Sequence, residues 1–172
     1  MVISKTESSY LSLVEQLKER SVTRTYLAMV VGAPVINKTI NEPIGRHPKI
    51  RTKQAVNQNG KEAITRFSIF ENLDGYSLLK VNLETGRTHQ IRVHLSHIGY
   101  PIIGDPLYGN RNKFSRGSSE ELKKIISNFK RQALHAEELQ LNHPTSGELI
   151  SFKASMPSDM QTLLNQIKVN GS

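Results

Sequence analysis

The chain has 172 residues, 37% of them apolar, enough for one domain with a real core and too few for two. Its 23 Lys plus Arg against 15 Asp plus Glu leave a formal net charge of +8, which points to a polyanion as partner, because a basic face releases counterions when it meets phosphates. The absence of cysteine excludes disulfides and thiolate metal sites, and no apolar run of about 18 residues could span a bilayer.

The first predicted element is a helix over 6–20, where Tyr10, Leu13, Val14 and Leu17 recur on one helical face and Thr6 or Ser8 can cap the start. Val22 to Val31 then reads as a central strand, with Tyr26, Ala28 and Val30 on one side and Leu27, Met29 and Val31 on the other. A polar stretch from Asn37 to Lys53 follows and carries Arg46, His47, Lys49, Arg51 and Lys53. Two short strands are predicted after it, joined at Asn59-Gly60, a dipeptide that tolerates positive φ at both positions of a tight turn. Strands over Ile64 to Glu71 and Tyr76 to Leu83 meet at a second such signal, Asp74-Gly75.

From Thr88 the period changes. Ile91, Leu95 and Ile98 fall on one helical stripe, with Thr88 as N-cap and Gly99 as stop. Tyr108 to Ser119 is rich in Gly, Asn, Ser and Arg and reads as a loop. Ser118 and Glu121, at capping-box spacing, then open a helix to Phe129. Leu139 to Asn142 and Leu149 to Ala154 read as strands around the turn His143-Pro144-Thr145-Ser146-Gly147, and Pro157 opens a last helix through Ile167. The sum is an α+β fold, a mainly antiparallel mixed sheet with flanking helices, in a single domain without repeats or low-complexity segments.

The densest polar cluster is Glu84-Thr85-Gly86-Arg87-Thr88-His89-Gln90-Ile91-Arg92-Val93-His94, at a strand-to-helix junction where backbone N–H groups and side chains converge and anions are readily held. With Ile91 at the centre of the buried stripe, Arg92 lies at its margin, where a guanidinium either snorkels to water or reaches into a cleft. His89, His94 and His97 miss the i, i+4 spacing of a helical two-histidine site and no carboxylate completes a set, so no metal is expected. The segment Arg46 to Lys53 is either a solvated loop or a phosphate-binding one, and Tyr26 either a core residue or a platform for a base.

Leu83 to Leu95, read as Leu-Glu-Thr-Gly-Arg-Thr-His-Gln-Ile-Arg-Val-His-Leu, resembles the signature of the RluA-type pseudouridine synthases. Gly104-Asp105-Pro106-Leu107-Tyr108-Gly109, Arg131-Gln132-Ala133-Leu134-His135-Ala136 and Arg24-Thr25-Tyr26 match the same family in the family's order, and the similarity runs to about residue 167. Glu42-Pro43-Ile44-Gly45-Arg46-His47-Pro48 is similar to the branch that modifies large-subunit ribosomal RNA. The resemblance implies isomerisation of uridine in structured RNA, with no cofactor and no metal. It makes Arg92 the arginine that pairs with a catalytic aspartate, and Tyr26 the tyrosine that stacks on the target base. It also makes Arg46, His47, Lys49, Arg51, Lys53, Arg87 and His89 the RNA-binding set.

The aspartate itself, which the family carries in a His-Arg-Leu-Asp motif, has no counterpart here. The chain holds three aspartates, and Asp74 and Asp159 suit a hairpin turn and a helix first turn. Asp105 belongs to its own motif, which the family uses as a structural loop. Because Met1 to Thr6 resembles the strand that follows the aspartate motif, the chain is expected to begin just downstream of its catalytic group. It is then inactive alone, with Arg92 turned toward water, an anion or a substitute carboxylate. The alternative is a non-catalytic RNA-binding module. Either way a soluble, cytoplasmic, monomeric RNA-binding protein away from membranes is expected.

Overall fold

In the computed structural model, which describes residues 2–109 and 114–170, the chain runs through four helices and eight strands. They are α1 (Glu7–Lys18), β1 (Thr23–Val31), β2 (Lys38–Asn41), β3 (Ile44–Arg46), β4 (Gln54–Val56), β5 (Ile64–Leu73), β6 (Tyr76–Leu83), α2 (Gln90–His97), α3 (Glu120–Asn128), β7 (Leu134–Asn142), β8 (Leu149–Lys153) and α4 (Ser158–Asn170). Six strands form one antiparallel sheet in the order β2-β5-β6-β1-β7-β8, and β3 and β4 form a separate two-stranded sheet.

The doubly apolar pattern of Val22 to Val31 predicts a central strand, and β1 is one, paired with β6 on one side and β7 on the other. Leu27, Ala28, Met29, Val30 and Val31 are all buried in the main core. Leu78, Leu79 and Val81 of β6, Ile91 and Leu95 of α2, Leu122 and Ile126 of α3, and Met160, Leu163, Leu164 and Ile167 of α4 complete it. The Asp74-Gly75 turn is as expected, with φ of 34° and 78° at its two residues.

Four expectations need correction. Asn59-Gly60 does not join two strands: Gly60 N–H donates to the Asn57 carbonyl in a turn after β4, and the short strands lie within and beside the polar stretch instead. There the alternation that marks a half-buried strand is absent, because this small sheet is only three residues deep. Thr88 does not cap α2; His89 stands at the N-cap with φ of 58° and makes no side-chain capping bond. Ser119 rather than Ser118 caps α3, accepting from Leu122 N–H, while Ser118 bonds Tyr76 Oη and the Ser115 carbonyl. β7 begins five residues before the expected Leu139. Its first residues, Leu134 to Ala136, pair with β1; from Glu138 the strand pairs with β8 as well, and Glu138 accepts from Gln140 and Ser151. Of the predicted loop from Tyr108, residues 110–113 lie outside the described residues.

The apolar face predicted for α1 lines a groove of about 1000 Å³ with Val22, Tyr26, Leu139, Ile150 and Phe152, and it leaves Tyr10 and Leu17 largely exposed. The buried residue of α1 is polar. Gln16 pairs with Asn142 as a strand backbone would, donating from Nε2 to its carbonyl at 2.8 Å and accepting its N–H at 2.9 Å.

Candidate active site

The Thr85 to His94 run is organised by Gln90, which is buried at the start of α2. Ile64 N–H donates to Thr85 Oγ1 at 2.8 Å, and Thr85 in turn donates to Gln90 Oε1 at 2.8 Å. Gln90 Oε1 also accepts Arg87 N–H at 2.9 Å, which ties the turn before α2 to the helix start. On its other side Gln90 Nε2 donates to the Ile64 carbonyl and to Thr65 Oγ1, each at 3.0 Å. Thr65 Oγ1 meets His94 Nδ1 at 2.9 Å, and His94 Nε2 meets the Glu42 carbonyl at 2.9 Å. A carbonyl can only accept, so His94 carries its proton on Nε2, and Nδ1 accepts from Thr65. Burial depresses the His94 pKa against the opposing hydrogen bond to Glu42, which agrees with this neutral form.

Two residues on, Arg92 is 9% exposed and makes a bidentate ion pair with Asp105, itself 2% exposed, through Nε at 2.8 Å and Nη2 at 2.7 Å. Asp105 Oδ1 also accepts the N–H groups of Leu107 and Tyr108. The 105–109 turn closes by Gly109 N–H to the Asp105 carbonyl, where a side chain at Gly109 would meet that oxygen at 2.5 Å. Burial alone would push the Asp105 carboxyl up, but the Arg92 and backbone hydrogen bonds outweigh it and hold it below the usual carboxylate value. The hydrogen bonds to Asp105 raise the Arg92 guanidinium against its own desolvation. Arg92 is thus turned toward a carboxylate of this chain, Asp105, rather than toward water.

Around this pair the structure gathers Tyr108, His89 and Lys53. The Tyr108 ring lies 5.0 Å from Arg92 Cζ and 5.9 Å from Lys53 Nζ, and its hydroxyl is 2.9 Å from His89 Nδ1. Burial, helped by the Arg92 charge, lowers the His89 pKa. Arg46, Lys49 and Arg51 are exposed on the hairpin joining β3 to β4. His47 has a structural task there, its Nδ1 accepting the N–H groups of Lys49 and Ile50. Arg87 is anchored by Nε to the Glu62 carbonyl.

Tyr26 stands apart from this cluster. It is half-buried in the groove beside Arg24, where β7 carries an extra residue: Thr25 faces Glu138 but Tyr26 faces Ala136. Such a bulge turns a side chain away from the regular pleat. Sequence reasoning missed Asp105 as the partner of Arg92 and missed Tyr108 altogether, although both lie in Gly104-Asp105-Pro106-Leu107-Tyr108-Gly109. The three aspartates have separate places: Asp74 occupies the β5–β6 turn, Asp105 pairs with Arg92, and Asp159 makes a bidentate pair with Arg131.

Comparison with known proteins adds three findings. Residues 1–97 match the family model described as RNA pseudouridylate synthase. The chain is 47% identical over 168 residues to "Ribosomal large subunit pseudouridine synthase D" of Xanthomonas campestris, covering 98% of this chain and 51% of that protein. Its likeness to the protein of the same name from Escherichia coli K12 is 44% over 170 residues, covering 99% of this chain and 52% of that one. The chain thus spans about half the length of the curated relatives it matches. In fold it is similar to the solved structure of human "RNA Pseudouridylate Synthase Domain Containing 4", with a TM-score of 0.75 at 22% identity over 95% of this chain and 69% of that one.

Proposed function

Because the chain belongs to the RNA pseudouridylate synthase family, as an RluA-type member, we propose that it forms the RNA-docking and arginine-bearing part of an enzyme that isomerises uridine to pseudouridine in large-subunit ribosomal RNA. The reaction breaks the N–C glycosidic bond, turns the uracil and rejoins it through carbon. Tyr26 stacks on the uracil once the nucleotide has left its helix. Arg92 holds a reacting carboxylate ionised and in place. Since Asp105 takes Nε and Nη2, the Nη1 edge is left for that second carboxylate. Arg46, Lys49, Arg51, Lys53 and Arg87 contact phosphates, with His89 beside them. No cofactor or metal takes part, and the working partner is ribosomal RNA in the cytoplasm.

The observation that supports this reading is that the buried, motif-borne Arg92 is held by Asp105, a carboxylate of the 105–109 turn, while Asp74 lies in the β5–β6 turn and Asp159 pairs with Arg131. On this reading the reacting carboxylate comes from polypeptide outside these 172 residues, and the chain alone is inactive. Purified chain incubated with a large-subunit ribosomal RNA fragment is expected to form no pseudouridine. A protein extended by a segment bearing His-Arg-Leu-Asp is expected to form it, and to lose that activity with Arg92→Met while retaining RNA affinity. Pseudouridine made by the 172-residue chain itself would overturn the assignment. The same pairing of Arg92 with Asp105 supports a second reading, a non-catalytic RNA-binding module, which predicts that the extended protein is inactive too.

A further inference from the structure

We propose that Tyr108 is a positioning residue, which locks the basic β3–β4 hairpin to the Arg92 guanidinium so that phosphate capture and the reacting centre keep one fixed spacing. The inference rests on the roles just given to Arg92 and the hairpin. Neither the ion pair nor the basic loop alone requires it; the hydrogen bonds of a single hydroxyl do.

Gln54 opens β4, and its N–H donates to Tyr108 Oη at 2.8 Å. The Tyr108 hydroxyl proton is then available to His89 Nδ1, which accepts in the neutral imidazole. One oxygen therefore joins the hairpin, the start of α2 and the 105–109 turn. The ring repeats the link, with the Arg92 cation of the site and the Lys53 cation of the hairpin both against it. The residue has little freedom of its own. Its N–H is held by Asp105 Oδ1 at 3.0 Å and its carbonyl accepts Ser96 Oγ at 3.1 Å, so moving Tyr108 disturbs the carboxylate that orients Arg92.

The hairpin needs such a tether. Two strands of three residues each are marginal by themselves. Besides the bridge from Ile44 to Lys61, the small sheet is packed through Ile44, Ala63 and Val93, with Val56 and Tyr108 against them. That small apolar patch sets a contact, and Tyr108 adds direction to it. Fixing the loop before RNA arrives removes an ordering cost from binding, and a misplacement of about 1 Å is enough to impair chemistry elsewhere in a site.

Tyr108→Phe keeps the ring and removes the acceptor. In the full chain, amide exchange at Gln54 is expected to accelerate by about tenfold, as loss of one hydrogen bond allows, while the core amides of Met29 and Leu79 keep their rates. Affinity for a uridine-containing RNA stem-loop is expected to fall about three- to tenfold with an unchanged salt slope, since the phosphate contacts are disordered rather than deleted. In a chain also carrying Arg46→Gln, Lys49→Gln and Arg51→Gln, Tyr108→Phe is expected to have no further effect on affinity. The proposal is overturned if Gln54 exchanges no faster, if Met29 and Leu79 accelerate with it, or if the affinity loss is the same in both backgrounds. A parent chain that fails to bind the stem-loop overturns the reading of the hairpin as an RNA contact, and the exchange rates still decide whether Tyr108 holds it.

Discussion

Replacing Asp105 by Asn keeps its shape and its Oδ1 acceptor for Leu107 and Tyr108, but sets an amide NH2 against the Arg92 Nε–H. A donor then faces a donor, and a buried cation has lost its counter-charge. Breaking a buried pair from one side in this way costs about 3–5 kcal/mol. The expected result is a lower urea midpoint for Asp105→Asn, with Arg92→Met in the same chain restoring more than about 1 kcal/mol of it, because the two changes are coupled. Additive losses would show that the pair is not what stabilises the 105–109 turn. This coupling was hidden in the sequence: 13 residues separate the partners, and neither spacing nor charge pattern links them. Arg92 was legible because it sits in a recognisable run on a helix. Asp105 was marked only as part of a loop motif, and what it binds depends on how α2 packs over that loop.

At the scale of elements, the β3–β4 hairpin is where charge and geometry meet. Each phosphate contact releases counterions, so neutralising Arg46, Lys49 and Arg51 together is expected to flatten the log–log salt dependence of RNA affinity by roughly 2–3 in slope. An unchanged slope would make the loop a plain solvated one. The long strands were legible because burial on one or both faces writes a period into the sequence: β1 and β6 appear within a residue of their predicted ends. Short elements carry no such record. β3 and β4 have three residues each, and the half-buried first half of β7 owes its form to the strands beside it rather than to apolar alternation. The groove residue Tyr26 was placed correctly on a central strand, but the bulge that redirects it arises from β7 and has no signal at Tyr26 itself.

For the whole molecule, two buried titrations give stability a direction in pH. Burial holds the folded-state pKa of His94 below the ordinary histidine value of 6.5, so the unfolded chain takes up a proton first as pH falls. Stability is therefore full above pH 6.5 and is lost as pH drops from there through the folded value, and His89, shifted the same way, adds to the loss. Asp105, whose carboxyl is lowered from 3.8, contributes stability that is present above that value and lost only in stronger acid. Urea unfolding followed from pH 8 to pH 5 is expected to show the first loss. In His94→Leu the chain should be weaker throughout, by about 1–3 kcal/mol for the stranded Thr65 hydroxyl and Glu42 carbonyl, and its slope below pH 6.5 shallower. An identical slope in that variant would assign the acid sensitivity elsewhere.

The circuit through Thr85, Gln90, Thr65 and His94 leaves few single steps open to mutation. It starts at the Ile64 N–H, which can only donate, and ends at the Glu42 carbonyl, which can only accept, so each proton between them has one place to lie. Exchanging any one member for a residue without the same donor and acceptor turns a donor toward a donor or leaves a lone pair dry. A lineage can leave this arrangement only by several changes at once, in strands and helix together. The residues that carry the circuit are thus tied to the architecture of strand and helix, independently of any chemistry at Arg92.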